Sequence, residues 1–308
     1  MNDIVLETEG LTKYYGKTLA LDHLNLRIRR GCIYGLLGRN GTGKTTAIKL
    51  LLGLLKPTSG SSRVLGCDSQ ELSSQVRQRI GYVTEGHHLY RWMPIGRLEK
   101  FHRAFFPGQW DGKGFDDMLD YFELSKKQKI KSLSNGQRAQ VSLALTLASR
   151  PELLIMDDPT LGLDTAIRRQ FLEGMIQMIQ RQGRTILFSS HILSDVERVA
   201  ERIAVLDKGV LRADCTLEEF QTKVRKVMFT FDNSVPAEVE IAGLVHSRQS
   251  ENQVELTLVG TSDEQIDAWA KKVGASSHKF AEMNLEDQFI EFTGSAKSGK
   301  LFQWETEQ

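Results

Sequence analysis

Gly38-Arg39-Asn40-Gly41-Thr42-Gly43-Lys44-Thr45-Thr46 is the stretch on which the fold turns. An apolar run, Cys32 to Leu37, leads into it, and another, Ala47 to Leu55, follows it and stops at Lys56-Pro57. Strand, glycine-rich turn and helix in that order give the GxxxxGK[ST] pattern its meaning. Gly38 to Thr45 fill the pattern, and average composition yields on the order of one chance match per hundred chains of this length. The glycines let backbone N–H groups turn inward around the β- and γ-phosphates of a nucleotide, at the positive end of the helix. Gly38, Asn40, Gly41, Thr42, Gly43 and Thr46 are the expected cradle. Lys44 is expected to set its ammonium on those phosphates. Thr45 is expected to offer its hydroxyl to Mg²⁺, which takes hard oxygen ligands in near-octahedral geometry. A dinucleotide-binding reading of the glycines fails, because the Lys-Thr pair and the acids downstream belong to triphosphate chemistry.

Working outward, Leu153 to Met156 reads as a buried strand that ends in Asp157 and Asp158. A carboxylate at the first position reaches a nucleotide-bound Mg²⁺ through water, and one at the second is placed to polarise an attacking water. Thr185 to Ser190 and Ile203 to Leu206 read as further buried strands, and Ile4 to Ile28 as strands around a turn at Tyr15-Gly16-Lys17. Leu98 to Arg150 reads as helical, with Phe101, Phe105, Met118, Leu119 and Phe122 at helical spacing. Short apolar strands alternating with helices predict an α/β core with a largely parallel sheet. After Gly209 the texture changes. Val227, Phe229 and Phe231 alternate, as do Val254, Leu256 and Leu258, and helical stretches follow at Asp263 to Lys272 and Leu285 to Phe292. We expect a small α+β domain over 216–294 and a frayed tail over 295–308.

Composition narrows the field. The 308 residues balance 40 Lys+Arg against 39 Asp+Glu, and the +1 charge argues against broad wrapping of nucleic acid. Cys32, Cys67 and Cys215 are isolated and lack CxxC spacing, which predicts reduced thiols rather than a disulfide framework or zinc site. Met1 to Glu7 lacks the basic start and apolar core of a signal peptide, and no window reaches the ~18 apolar residues of a membrane span. We therefore expect a soluble chain that reaches a membrane only through a partner.

Further motifs carry a family resemblance. Leu133-Ser134-Asn135-Gly136-Gln137, about ninety residues after Lys44, resembles the signature motif of ATP-binding cassette (ABC) proteins. Asp157-Asp158-Pro159-Thr160-Leu161-Gly162-Leu163-Asp164 resembles the extended Walker B and D-loop, and Ser189-Ser190-His191 the switch-histidine segment. Tyr15 matches the aromatic that stacks on adenine, with Tyr14 as its competitor, and Ile80 to Glu85 sits where the Q-loop belongs. The motifs stand in family order over residues 4–215. The resemblance implies a P-loop NTPase cassette over 1–215: a mostly parallel core sheet, an N-terminal antiparallel β part and a helical subdomain over about 87–150. The C-terminal domain and the stretch Phe106-Pro107-Gly108-Gln109-Trp110-Asp111 look most like ATPase subunits of ABC-2-type exporters, the bacitracin and acetoin-operon branch.

Carried onto this chain, the resemblance implies a head-to-tail dimer, with itself or a paralogous subunit, around two ATP. Lys44, Thr45 and Asp157 of one chain would hold each ATP, and Ser134, Gly136 and Gln137 of the other would cap it. Asp158 and His191 would be catalytic beside Lys44, with Thr45, Glu85 and Asp157 as metal ligands. The ATPase would sit at the cytoplasmic face of the membrane, driving a permease that docks near Glu85 to Pro94; the alternatives are a low-turnover regulatory module or a soluble non-transport ATPase. Three positions depart from the family pattern. Asp158 stands where Glu is usual, which predicts slow turnover; Glu85 stands where Gln is usual; Asn135 replaces a signature glycine. His87 and His88 read as surface residues, and the aromatics of His87 to Pro94 as packing or as a groove for a partner helix.

Overall fold

The structure is a computed structural model that describes residues 3–180 and 183–294. The expected tail, 295–308, lies outside the described residues. The chain parts into two compact units between Asp214 and Cys215.

In the first unit, β1 (Ile4–Tyr15) and β2 (Thr18–Arg29) form an antiparallel hairpin with Tyr15 opposite Thr18. β3 (Ile33–Leu37) is buried along its whole length and runs into the glycine-rich turn and α1 (Lys44–Leu51). β4 (Ser59–Val64) and β5 (Cys67–Asp68) complete an antiparallel sheet in the order β2-β1-β4-β5. After α2 (Ser74–Gln78) come β6 (Ile80–Val83), α3 (Ile95–Arg103), α4 (Gly112–Tyr121) and α5 (Asn135–Ala148). The chain then alternates through β7 (Leu153–Met156), α6 (Thr165–Gln180), β8 (Thr185–Ser190), α7 (Leu193–Val199), β9 (Arg202–Asp207) and β10 (Val210–Thr216). The central sheet has the order β10-β9-β3-β8-β7-β6, and β9, β3, β8, β7 and β6 are mutually parallel neighbours. Every residue of β3, β7 and β8 is buried, as expected of parallel strands covered on both faces. The alternating α/β reading holds.

The second unit begins with α8 (Leu217–Lys223), β11 (Val224–Thr230), β12 (Leu244–Gln249), β13 (Gln253–Val259), α9 (Asp263–Val273), β14 (Ser277–Ala281) and α10 (Leu285–Gly294). Its antiparallel sheet has the order β12-β13-β11-β14. Val227, Phe229, Val254, Leu256 and Leu258 meet Ile266 and Trp269 of α9, with the Phe229 and Trp269 rings 4.7 Å apart edge to face. The alternation seen in the sequence is therefore a half-buried face against a helix.

Two helical expectations are corrected. The helix after the glycine-rich turn starts at Lys44, not Ala47, because Ala47 N–H already donates to Gly43 O at 2.8 Å. Phe105, read at helical spacing with Phe101, lies past the end of α3 at Arg103, and both rings are exposed, 56% and 40%, while α3 buries Ile95 and Leu98. Spaced i, i+4, the two rings instead pack on each other, 5.2 Å apart edge to face.

Candidate nucleotide-binding site

β3, β8, β7 and β6 lie side by side and parallel, so their C-terminal ends open along one edge of the sheet. Gly38 to Thr46 follows β3, His191 follows β8, Asp157 and Asp158 follow β7, and Glu85 lies two residues past β6. That edge is where open parallel sheets bind ligands.

The turn after β3 is built around two close approaches. A Cβ at Gly38 would sit 2.3 Å from Thr42 Oγ1 and 2.6 Å from Leu206 O, so only glycine fits. Gly43, at φ +103, caps α1, and a Cβ there would meet Ala20 O at 2.4 Å. No side chain caps α1, so the N–H groups of its first turn are left to an anion. Lys44 curls back under the turn and is buried, its Nζ donating to Gly38 O at 2.8 Å and lying 3.7 Å from Asp158 Oδ2. Thr42 is held by its hydroxyl on Arg39 O at 2.9 Å, while Asn40 and Gly41 are exposed at the tip.

Thr45 Oγ1 donates to Asp157 Oδ1 at 3.0 Å, joining the start of α1 to the end of β7. Ser189 Oγ donates to the same carboxylate oxygen at 2.8 Å and accepts from Asp158 N–H at 2.8 Å. Asp158 sits at φ +42, a region Asp enters more readily than most side chains. Its Oδ1 accepts from His191 N–H at 3.2 Å and from His191 Nδ1 at 2.9 Å. The segment after Asp158 is held as well. Thr160 Oγ1 donates to the buried Asp195 at 2.6 Å, and His87 Nε2 donates to Pro159 O at 2.9 Å. Burial pushes the Asp195 carboxyl above its ordinary value, against the pull of Thr160 and nearby cations. The structure thus brings together the turn, Lys44, Thr45, Thr46, Asp157, Asp158 and His191.

The remaining candidates stand apart from that cluster. Glu85 is exposed, and among the described residues no hydrogen bond or ion pair reaches it. Its charge acts on the same phenol as that of Asp157: burial first, then Asp157 and Glu85, push the Tyr82 phenol up to about 12. Tyr15 is half exposed at the β1–β2 turn, with Lys13 Nζ 5.4 Å from its ring centroid; Tyr14 is exposed beside it. Contact between Ala20 and Gly43 sets that hairpin against the phosphate turn. Ser134 caps α5 in a reciprocal box: its Oγ accepts from Gln137 N–H at 3.1 Å, and Gln137 Oε1 accepts from Ser134 N–H at 3.0 Å. Gly136 is buried against Ile167, where a Cβ would meet Cγ2 at 2.6 Å. Asn135, where the family pattern has glycine, accepts from the Arg138 guanidinium.

His87 corrects the surface expectation. It is 4% exposed, because its ring turns inward to the Pro159 carbonyl, and burial pushes the imidazole below its ordinary value. His88 is exposed as expected. Ser189, Thr160 and Asp195 enter the site network without having been singled out. Their signal was position alone, in or just past segments already tied to the motif order.

Three comparisons bear on this arrangement. The sequence profile of the ABC transporter family matches residues 21–161. The bacitracin transport ATP-binding protein BcrA of Enterococcus faecalis is 32% identical, over 95% of this chain and 97% of its own. The chain belongs to the ABC transporter ATP-binding family. A BcrA from Bacillus licheniformis is 33% identical over 73% of this cassette protein and 74% of its own chain. A solved dimer of an ATP-binding cassette, in a post-hydrolysis state with ADP and Pi, is 25% identical with a TM-score of 0.62, covering 69% of this chain and 98% of that one. The ABC cassette is thus an ATP-binding ATPase subunit of the transporter type. Among the described residues no helix is long and apolar enough to cross a membrane.

Proposed function

We propose that this ABC subunit hydrolyses ATP in a head-to-tail dimer and drives a separate membrane permease for export. One observation carries the reading: Lys44, Thr45, Asp157, Asp158 and His191, from three strand ends, converge within hydrogen-bonding or ion-pair distance of one another. The relatives named for bacitracin transport support an exporter, and the solved cassette dimer with ADP and Pi supports dimeric ATP turnover.

In this reading the β- and γ-phosphates rest on the first turn of α1 and on Lys44, with Tyr15 on the adenine. Thr45 Oγ1 and Asp157 Oδ1, a hydroxyl and a carboxylate oxygen 3.0 Å apart, are a donor pair suited to Mg²⁺. Among the described residues no group of three or more His, Cys, Asp or Glu side chains is arranged for a metal, so beside these two residues and Glu85 the ion's ligands would be phosphate oxygens and water. When bound, Mg²⁺ supplies charge neutralisation on the transferred phosphoryl group. Asp158 orients the attacking water, and His191, fixed at Nδ1 by Asp158, presents its other ring nitrogen to the γ-phosphate. Ser134, Asn135 and Gly136 of the second chain offer N–H and hydroxyl donors from the start of α5. Glu85 acts at the metal from the loop that leads to the permease. We assign the cassette to 1–215, its helical part to about 87–150 and an accessory α+β domain to 216–294, and place the subunit at the cytoplasmic face of the membrane beside its permease.

A second reading, a regulatory module of very low turnover, is favoured by the Asp158 carboxylate being drawn onto His191 rather than held forward. Phosphate release from Mg-ATP separates the two. Wild-type chain with its permease is expected to hydrolyse ATP, and Lys44→Ala to lower the rate by at least about a hundredfold. No release above background in the presence of the permease would leave only the regulatory reading.

A further inference from the structure

We infer that His87 is a positioning residue for the hydrolytic site: its ring ties the loop after Glu85 to the backbone of Pro159 and so holds the turn that carries Asp158. The kinetic part of this inference rests on the ATPase reading above.

The turn after Asp157 is secured from several directions. Ser189 of β8 holds Asp158 N–H, Leu161 N–H donates to Asp158 O at 3.1 Å, and Asp195 of α7 holds Thr160. Between them stands Pro159. Proline has no N–H, so its carbonyl is the only hydrogen-bonding group that Pro159 itself offers. His87 Nε2 takes that carbonyl from 72 positions earlier in the chain. Without the bond, the peptide joining Pro159 to Thr160 loses this anchor, one residue away from Asp158.

The geometry of His87 shows that this bond governs its placement. The residue sits at φ +46, in the left-handed region, while its N–H closes a turn onto Thr84 O at 3.3 Å. That backbone conformation swings the ring inward, to 4% exposure. The Pro159 carbonyl can only accept, so the bonding proton is on Nε2, and Nδ1 is left buried with no hydrogen-bond partner among the described residues. A ring that served only as filler would have no reason to be a histidine in this pocket, since one of its nitrogens is unsatisfied. The competing account is packing: the ring centroid lies 6.5 Å from that of Phe171.

Two variants of the full chain separate the accounts. His87→Asn tolerates the positive φ, but its amide nitrogen reaches only as far as ring Nδ1. His87→Gln carries an amide nitrogen out to the reach of Nε2. We expect His87→Asn to lower kcat about tenfold with KM changed less than about threefold, and His87→Gln to recover most of the loss. In parallel, amide hydrogen exchange over 156–163 of the nucleotide-free chain should quicken about fivefold or more in His87→Asn and stay near wild type in His87→Gln. The inference is overturned if exchange over 156–163 is unchanged in His87→Asn, whatever happens to its Tm. Equal loss in both variants also overturns it, in favour of packing on Phe171. A wild-type chain that hydrolyses no ATP sinks the ATPase reading alone, because the exchange measurement still decides the role of His87.

Discussion

On the proposed reading, a single methylene at Asp158 sets the reach of the carboxylate. Its Oδ1 is drawn to the His191 backbone and ring, and its Oδ2 stands 3.7 Å from the Lys44 ammonium, so the carboxylate is held at the wall of the site. A glutamate would carry its carboxylate about 1.5 Å farther from the backbone, one C–C bond toward the γ-phosphate position. Since misplacement by ~1 Å costs on the order of a hundredfold in rate, Asp158→Glu is expected to raise kcat by about tenfold to a hundredfold. Steady-state phosphate release measures it, and an unchanged or lower kcat would remove the geometric account of slow turnover. The place of Asp158 after an apolar strand was legible in the sequence. Its hold on His191 was not, because nothing in a spacing of 33 residues says which carboxylate oxygen an imidazole will find.

The elements that bring these residues together are parallel strands, and their two ends do different work. Their C-terminal ends carry the phosphate turn, the acids and the histidine. At the other end Glu152, just before β7, takes a two-pronged ion pair from Arg79 at 2.6 and 2.9 Å, with Arg30 at 3.4 Å. The Arg79 hydrogen bond, ahead of the charge of the two arginines, holds the Glu152 carboxyl below the ordinary 4.5. A carboxyl whose folded value is depressed contributes stability that is fully present above 4.5 and is lost as pH falls through the folded value. Glu152→Gln should therefore lower Tm by about 1–3 °C at pH 7, the pair being partly exposed, and the difference from wild type should shrink below pH 4.5. Thermal melts from about pH 3 to 7, spanning the ordinary carboxylate range, check this, and a Tm difference that persists undiminished at the acid end would show that packing, not charge, is at stake. ATP turnover at pH 7 should not follow Glu152, which lies at the far end of the strand from the site. Strands β3, β7, β8 and β9 were readable because full burial requires continuous apolar runs. The period of Phe101 and Phe105 did not say which face of α3 the core covers, and both rings lie outside it.

For the whole molecule, the cap of α5 is the feature that points beyond one chain. The hydrogen bonds of Ser134, Asn135 and Gln137 stay within the first turn of their own helix. In the proposed dimer, the first-turn donors of α5 that Ser134 does not engage would take a phosphate brought by a second copy. Asp158→Asn, which keeps the fold but removes the negative carboxylate, should run as a dimer on sizing with Mg-ATP and as a monomer without it, an apparent mass about doubled. A monomer under both conditions would count against ATP-held dimerisation.

Sequence alone determined the class of fold, the phosphate turn and the order of the nucleotide motifs. Those depend on local requirements: glycines where backbone must approach backbone, a Lys-Thr pair at a helix start, continuous apolar runs for strands buried on both faces. Tertiary structure decided what joins them. It placed Ser189 between Asp157 and Asp158, tied Thr160 to Asp195, turned His87 inward to Pro159 and left Phe101 and Phe105 outside. Each of these is a meeting of atoms from segments far apart in the chain or a choice between helix faces. Such outcomes follow from how strands register and which surfaces are covered, and local sequence pattern does not encode them.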